Sequence, residues 1–508
     1  MLLNAVDSHV YDYVIVGAGP AGCIIADRLS RDSSSNVLLL EAGGDLSTSE
    51  DVLTPNRWPT LIDSEHDWAY RTEPQSALGN RSVAWPRGRM VGGSAAMHAM
   101  VYVRGHPNDF ALWADEVGPS WGWENLQRFF HEFEHGSGET VSVERPTSLH
   151  AFCEVFLDVA RALGLPCREM VDVCAQPGLG RYLVMQRDGQ RSFPAQTCLA
   201  RALGRPNFKM LTLCQVEQLK FDGRNVREVL VECADGVRSI RVEREVILCA
   251  GTIGSPSLLL RSGVGPAEML RAADIPIAHA LEGVGRNLHD HAQVALSVRS
   301  LHKVPVAHTS NLGEVGGFLN TPASTEQSSS QFVFAPIIGL SHGGDIGSGF
   351  SLGPSVGLPS SRGRVGIRRV AGRLQIDIDP GYLTDERDLA VLAEGVAVCR
   401  DIVRHPRFST ITGSTSGDFN RLEGRDAIRR FCREHAHTQF HPVGTCKAGR
   451  GDNAVVGPDF KVIGLNNVRV VDGSVIPSIT RANTCAPIMA LAMAAADSLT
   501  QERSTFNH

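Results

Sequence analysis

Apolar runs of strand length alternate with helical patterns from the start of the chain. Tyr13–Val16 (YVIV) is an uninterrupted apolar run, Ala21–Leu29 continues with small and apolar residues of helical character, and Asn36–Leu40 (NVLLL) is a second apolar run. Strand, helix and strand in that order open a parallel sheet with a crossover helix. Residues 45–85, rich in Ser, Thr, Pro, Asp and Trp, read as an irregular segment of the kind that covers a site. Ala111–Glu134 is amphipathic, anchored by Trp113, Trp121, Trp123, Leu126 and Phe129, and predicts one helix. Ser148–Leu163 predicts another, stopped by Gly164 and Pro166, and 192–203 a third after Pro194.

Lys209–Cys214, Val216–Phe221, Val226–Cys233 and Val246–Cys249 are strand-like and suggest a three-stranded β-meander inserted in a parallel-sheet protein. Ala250–Gly265 repeats the strand, glycine turn and helix, closed by Ser262-Gly263. Between 295 and 380, strand candidates at 332–340, 364–370 and 373–379 alternate with Gly/Ser/Pro-rich loops, and Ser351–Arg362 reads as a flexible link. Leu383–Val403 predicts a helix, 437–449 a loop with a short strand, and Val468–Val471 a buried strand ending in Asp472. Ala486–Thr500 is nearly all apolar and predicts a buried helix.

The first turn carries chemistry. Gly17, Gly19 and Gly22 follow the strand in G-x-G-x-x-G spacing. This allows a tight turn, a backbone that approaches a pyrophosphate, and close packing of helix on strand. The helix N-terminus adds free N–H groups and a partial positive charge. Glu41, at the end of the second strand, suits adenosine ribose hydroxyls and would repel a 2′-phosphate, which disfavours NADP. Gly92 and Gly93, within Gly88–Phe110, form a second turn where backbone N–H groups can meet phosphate or ring edges.

Composition narrows the class. At 508 residues the chain exceeds one ordinary core, and a net charge of −6 without a basic run argues against nucleic acid. No apolar run is long enough to cross a bilayer, and MLLNAVDSHVYDY lacks the basic region and apolar core of a secretory signal. The 12 cysteines are scattered without a C-x-x-C pair, which fits buried thiols in a reducing cytoplasm better than a disulfide framework. His435, His437 and His441, and His289 with His291, lack partners at a recognised metal spacing, so no metal is expected; His437 or Gln439 fits better as a substrate-pocket residue.

Taken in order, these motifs resemble the glucose–methanol–choline (GMC) oxidoreductases across essentially the whole chain. GAGPAG with Glu41 resembles the family's ADP-binding unit, Gly88–Gly105 its first signature and Gly251–Gly265 its second. Gly283–His291 (GVGRNLHDH) resembles its GxGxNLxDH loop and His441–Thr445 its HPxGT segment. Val470–Pro477 and Asn483–Pro487 resemble its VVDxSxxP and NTxxP stretches. His98-Ala99-Met100 and the following YVRGHPNDF are most similar to choline-dehydrogenase-like and pyridoxine-oxidising members.

The resemblance implies an α/β fold. A Rossmann-type FAD-binding domain, a parallel sheet plus β-meander, would join an α+β substrate domain built on an antiparallel sheet. The expected division is 1–150, 191–295 and 431–508 for the FAD domain, and 151–190 and 296–430 for the substrate domain. The implied activity is oxidation of an alcohol, expected to be a small primary one such as a heteroaromatic hydroxymethyl compound, to an aldehyde. Oxygen or a quinone-like acceptor would reoxidise the flavin. The alternative within the family is a hydroxynitrile-type lyase that keeps FAD without net redox change.

His441 is the expected base, since an imidazole near neutral pKa can take the hydroxyl proton as hydride leaves carbon for flavin N5. The family's second active-site position commonly carries His or Asn. Aligning NTCAP puts Cys485 there; a thiol is a weak donor, so Asn483 or a histidine elsewhere is the alternative. Cofactor contacts are expected from Gly17, Gly19, Pro20, Ala21, Gly22, Glu41 and Ala42 in the first unit. Arg89, Val91, Gly93, Ser94, His98, Ala99, Met100 and Val101 follow in the second, and Val216, Ala250 and Gly251 around the meander. Asp472, Gly473, Cys485 and Ala486 complete the set. Some members link FAD through a histidine just before the His98 position; Met97 stands there and cannot form that bond, so FAD is expected to be non-covalent.

Overall fold

The described residues build one seven-stranded and one eight-stranded sheet beside five two-stranded ribbons, and residues of both large sheets line one cleft along a seam. The computed structural model describes residues 10–171, 177–324, 329–339, 344–412 and 422–506. The N-terminal stretch read above falls largely in residues 1–9, and Cys174 in 172–176, outside the described residues.

In the first sheet, Phe208–Leu211, Val37–Leu40, Val10–Val16, Gly236–Leu248 and Val468–Val470 lie side by side and parallel. Val37–Leu40 is buried along its whole length, as expected of a parallel strand covered on both faces. Cys214–Asp222, Asn225–Cys233 and the first half of Gly236–Leu248 form an antiparallel meander on the same sheet. Sequence reasoning began the last strand at Val246. The polar residues before it hid a 13-residue strand, in which Ser239, Arg241, Glu243 and Arg244 are exposed while Ile240 and Val242 are buried.

The second sheet is largely antiparallel and contains Cys167–Met170, Gly178–Arg181, Val315–Leu319, Ser330–Ile338 and Asp345–Val356. The helix Glu386–Val403 covers it, with Leu389, Leu392, Val396 and Cys399 in the same core as Phe332, Phe334, Phe350 and Leu352. Each such large apolar side chain contributes about 1.5–3 kcal/mol by leaving water. Ser351–Arg362 is therefore not a flexible link: Ser351–Val356 lies within a buried strand. Its small residues are needed for packing, since a Cβ on Gly353 would fall 2.8 Å from the Gln293 amide nitrogen.

The helix expected over 111–134 is two, Pro107–Glu116 and Trp123–His135. Gly118, at φ 147°, and Pro119 break it, although the apolar periodicity runs on across the break. Residues 192–203 form a π-turn, Ala195–Leu199, running into the short helix Ala200–Leu203. The nearly all-apolar stretch Ala486–Thr500 lies within a longer helix, Cys485–Phe506, that ends in mostly polar residues. Among the described residues the eleven cysteines are free thiols, and no helix is long and apolar enough to cross a membrane.

At the seam, Ala292–Gln293 pairs antiparallel with His437–Thr438, and His289 pairs with Val443. The GVGRNLHDH and HTQFHPVGT stretches therefore run side by side. Both short strands belong to the second sheet, although the sequence boundaries put them at the margins of the FAD segments.

Candidate active site

A long cleft follows the C-terminal ends of the parallel strands, where ligands of open α/β sheets bind, and continues to the seam. Val16–Gly17, Leu40–Glu41, Cys249–Ala250 and Asp472 all open onto it. Gly17 has φ +101°, and a Cβ there would sit 2.5 Å from the Cys249 carbonyl oxygen; one on Gly22 would sit 2.0 Å from the Gly17 oxygen. The turn and its helix can close only with glycine at both places. Trp58, Ile62, Trp68 and Tyr70 from the irregular 45–85 segment wall the cleft on another side.

Register explains how two histidines meet at the seam. The Gln439 N–H donates to the His291 carbonyl at 3.0 Å, and the His441 N–H donates to Asp290 Oδ1 at 2.8 Å. Asp290 also accepts from the Thr438 hydroxyl at 2.5 Å and from the Tyr382 hydroxyl, so one buried carboxylate clamps the loop. Phe440 takes φ +68° between Gln439 and His441. A bulky residue is rare in that region, and such strain persists where neighbouring contacts over-determine it.

The hydrogen bonds assign the His441 tautomer. His291 Nε2 lies 3.0 Å from the Thr480 carbonyl and 3.1 Å from that of Gly357, so it carries the proton. Neutral His291 then offers a bare Nδ1, and the Nδ1 of His441, 2.9 Å away, must donate to it. His441 Nε2 is left with a lone pair facing the cleft, where the Asn483 amide nitrogen stands 3.0 Å away. Burial first, then the His291 ring, Arg87 and His98, hold His441 well below the ordinary imidazole value. Burial pushes His291 down to about 4. Both rings are neutral at neutral pH.

Deeper in the cleft, His98 Nδ1 accepts from the Met100 N–H at 3.0 Å and faces Arg191 Nη1 at 3.0 Å. Its proton therefore sits on Nε2, which has no partner among the described residues. Burial and then the Arg191 charge lower His98 to about 3. Arg191 itself is buried and, among the described residues, bonds to the carbonyls of Val52, Ala95 and His98 besides that ring. Burial lowers it to about 9.

Residues 11–293 and 359–492 match the N- and C-terminal sequence profiles of the GMC oxidoreductases. The chain belongs to the GMC oxidoreductases. It is 33% identical to an alcohol dehydrogenase [acceptor] of Pseudomonas putida, across 96% of this chain and 95% of that protein. It is 34% identical to mouse (Mus musculus) mitochondrial choline dehydrogenase, across 97% and 90%. The crystal structure of pyridoxine 4-oxidase from Mesorbium loti superposes with a TM-score of 0.87 at 32% identity, covering 97% of this chain and 99% of that one.

GMC oxidoreductases bind FAD, and the cleft fits it. A Cβ on Gly251 would meet nothing within 4 Å and one on Gly19 only the Cys249 oxygen at 3.8 Å, so the glycines leave a cradle that side chains would fill. His98, whose buried Nε2 donor is unpaired among the described residues, lines the same space.

Gly17, Gly19, Pro20, Ala21, Glu41, Ala42, Gly93, Ser94, His98, Ala99, Met100, Val101, Val216, Ala250, Gly251, Asp472, Gly473, Cys485 and His441 line this one cleft. Gly22, Arg89, Val91 and Ala486 do not. Gly22 packs the helix, as its spacing implied. Glu41 accepts from Ala18 N and Gly43 N at 2.8 Å each, which leaves part of its carboxylate free for a ligand. Asp472 is filled by Gly251 N, Ser255 and both donors of Ser474, and acts as a cap on two turns.

The group against His441 is Asn483, not Cys485. Burial pushes the Cys485 thiol up to about 12, so it stays neutral at the start of the last helix. His437 does not line the cleft, whereas Gln439 does. Sequence reasoning missed His291 and Asp290 as partners of the base, and Gln331 as the partner of Asn483. The only signal for the first two was their place in GVGRNLHDH, and Gln331 carried none. Among the described residues no group of three or more His, Cys, Asp or Glu side chains could hold a metal ion.

Proposed function

We propose that this chain oxidises a small primary alcohol to the aldehyde, with His441 as the base. The observation that carries the reading is the unprotonated Nε2 of His441, whose lone pair accepts from the Asn483 amide while Nδ1 donates to His291. Bound FAD supplies a hydride acceptor for the carbinol carbon. The turn at Gly17–Ala21 and its helix N-terminus would hold the pyrophosphate, Glu41 the ribose, and Gly93–Val101 the ring system. Attachment is non-covalent, in keeping with Met97 at the linking position.

The alcohol proton passes to His441 Nε2. The resulting imidazolium keeps its Nδ1–H on the neutral His291 ring, a charge-assisted bond of about 1.5–3 kcal/mol. The Asn483 amide, released from Nε2, can donate to the alcohol oxygen as it gains negative charge. Arg87 lines the same wall and opposes charge on His441, which favours an anionic oxygen nearby and keeps the resting base unprotonated.

Oxygen or a quinone-like acceptor takes the electrons onward, and the cytoplasm, where free thiols persist, is the proposed compartment. The test is anaerobic mixing of the yellow protein with a panel of primary alcohols, heteroaromatic hydroxymethyl compounds included. Bleaching of the flavin with aldehyde formed supports the reading. A flavin that stays yellow while hydroxynitriles are cleaved would replace it with lyase chemistry. Oxygen uptake compared with dye reduction then identifies the acceptor.

A further inference from the structure

The base is one end of an amide relay whose direction is fixed from both sides. Tyr182 is fully buried, and its hydroxyl donates its only proton to the Phe332 carbonyl at 2.8 Å. Its oxygen can then only accept, and the Gln331 amide nitrogen lies 3.4 Å away. That same nitrogen donates to Asn483 Oδ1 at 2.9 Å, which turns the Asn483 nitrogen toward His441. From the far side, the two carbonyls on His291 demand the same orientation of Asn483. Gln331 is 0% exposed, so its oxygen must face the remaining neighbour, and Gln439 Nε2 donates to it at 3.1 Å.

One atom is left over. Gln439 is 7% exposed and lines the cleft two residues from His441, and its Oε1, itself buried, has no hydrogen-bond partner among the described residues. Turning that amide would set oxygen against the Gln331 oxygen, so the spare atom is an acceptor. Their Cα atoms lie within about 7 Å of each other, the reach of two residues. A single small molecule can therefore touch both side chains.

We propose that Gln439 is a specificity-determining residue whose bare carbonyl oxygen selects alcohols carrying a second donor, a hydroxyl or N–H, near the carbinol group. The proposal rests on the reading of His441 as the base for alcohol oxidation. A substrate without the donor leaves a buried acceptor unpaired, and sites built to bond a substrate hydroxyl reject analogues that lack it far more strongly than apolar pockets reject a missing methylene. Asn483 and Gln439 would then read two different polar groups of one substrate.

The test compares ortho-, meta- and para-hydroxybenzyl alcohols with their methyl ethers, and diols of three to five carbons with their monomethyl ethers. Two quantities are read on the holoenzyme. One is the second-order rate of anaerobic flavin reduction; the other is the dissociation constant of the corresponding aldehyde, from perturbation of the flavin band. The donor-bearing member of at least one pair is expected to win at least tenfold in both. Gln439→Met, which keeps length and removes the acceptor, is expected to bring that ratio within threefold. Ratios near one for every pair in the parent protein overturn the proposal, as does a ratio that survives in Gln439→Met. If no alcohol of either kind bleaches the flavin, the alcohol-oxidation reading fails first and the proposal falls with it. Should Gln439→Met not fold, the parent ratios decide alone.

Discussion

Lowering the pH should unfold this protein through its neutral buried histidines, and His291 allows the effect to be isolated. Its ring is 0% exposed, bonded through Nε2 to two carbonyls and through Nδ1 to a second imidazole, and burial sets it at about 4. In the unfolded chain it returns to about 6.5. The folded value is the lower one, so the unfolded state takes up the proton first as pH falls. Stability is full above about pH 6.5 and declines from there to about 4. At pH 5, one and a half pH units below the free-imidazole value, His291 alone has removed about 2 kcal/mol, a roughly 30-fold change in the folding constant. That is a large part of a typical stability of about 5–15 kcal/mol. The perturbation is His291→Gln. The assay is urea unfolding, followed by tryptophan fluorescence at pH 7 and pH 5 with FAD held constant. The variant is less stable at pH 7 because the bonds are lost, yet its further loss on going to pH 5 is smaller by about 2 kcal/mol. An equal further loss in parent and variant would refute the reasoning, since the ring would then bind protons alike in both states.

Asn483→Ala removes the donor expected at the alcohol oxygen and should lower the flavin-reduction rate about 10²–10³-fold, whereas Cys485→Ser should stay within about threefold, because the thiol makes no bond to His441; stopped-flow reduction separates the two. Gly19→Val, at a φ of −68° that any residue adopts, should fold with an unchanged melting temperature as apoprotein. The added side chain fills the cradle, so FAD titration should show binding at least 100-fold weaker, and a yellow variant of ordinary affinity would count against the assigned cofactor seat.

The parallel sheet was legible because its strands are buried on both faces and its turns need glycine. Gly17, Gly22 and Glu41 could be read from spacing alone. Gly236–Leu248 was read short because one face of its first half meets water and the apolar signal thins to Ile240 and Val242. Ser351–Val356 was misread because Gly, Ser and Pro usually mark loops, glycine by its backbone freedom, serine by bonding its own backbone and proline by its fixed φ and missing N–H. Here they are chosen for size, to let strands and the covering helix close together.

The site divides in the same way. His441 was singled out through the family resemblance of its HPVGT segment, since the residues around it alone fit a loop histidine equally well. Its partners were legible in part: Asn483 stood as the alternative at the second position, but His291 from the GVGRNLHDH loop, and Gln331 from a central strand, which holds Asn483, are brought in only by the fold. Counting along NTCAP placed Cys485 at the second position, two residues from the side chain that the fold turns toward the base. Spacing within a motif gives the order of residues, but the direction of a side chain at a helix start depends on the turn that leads into it.

The most direct measurement is single-turnover flavin reduction, without oxygen, in His441→Ala and the parent protein, using an alcohol that bleaches the parent. The variant should bind FAD with the same yellow spectrum and reduce it about 10²–10⁴-fold more slowly, the usual contribution of a positioned base. Reduction at the parent rate by a His441→Ala protein that holds its FAD would contradict the account.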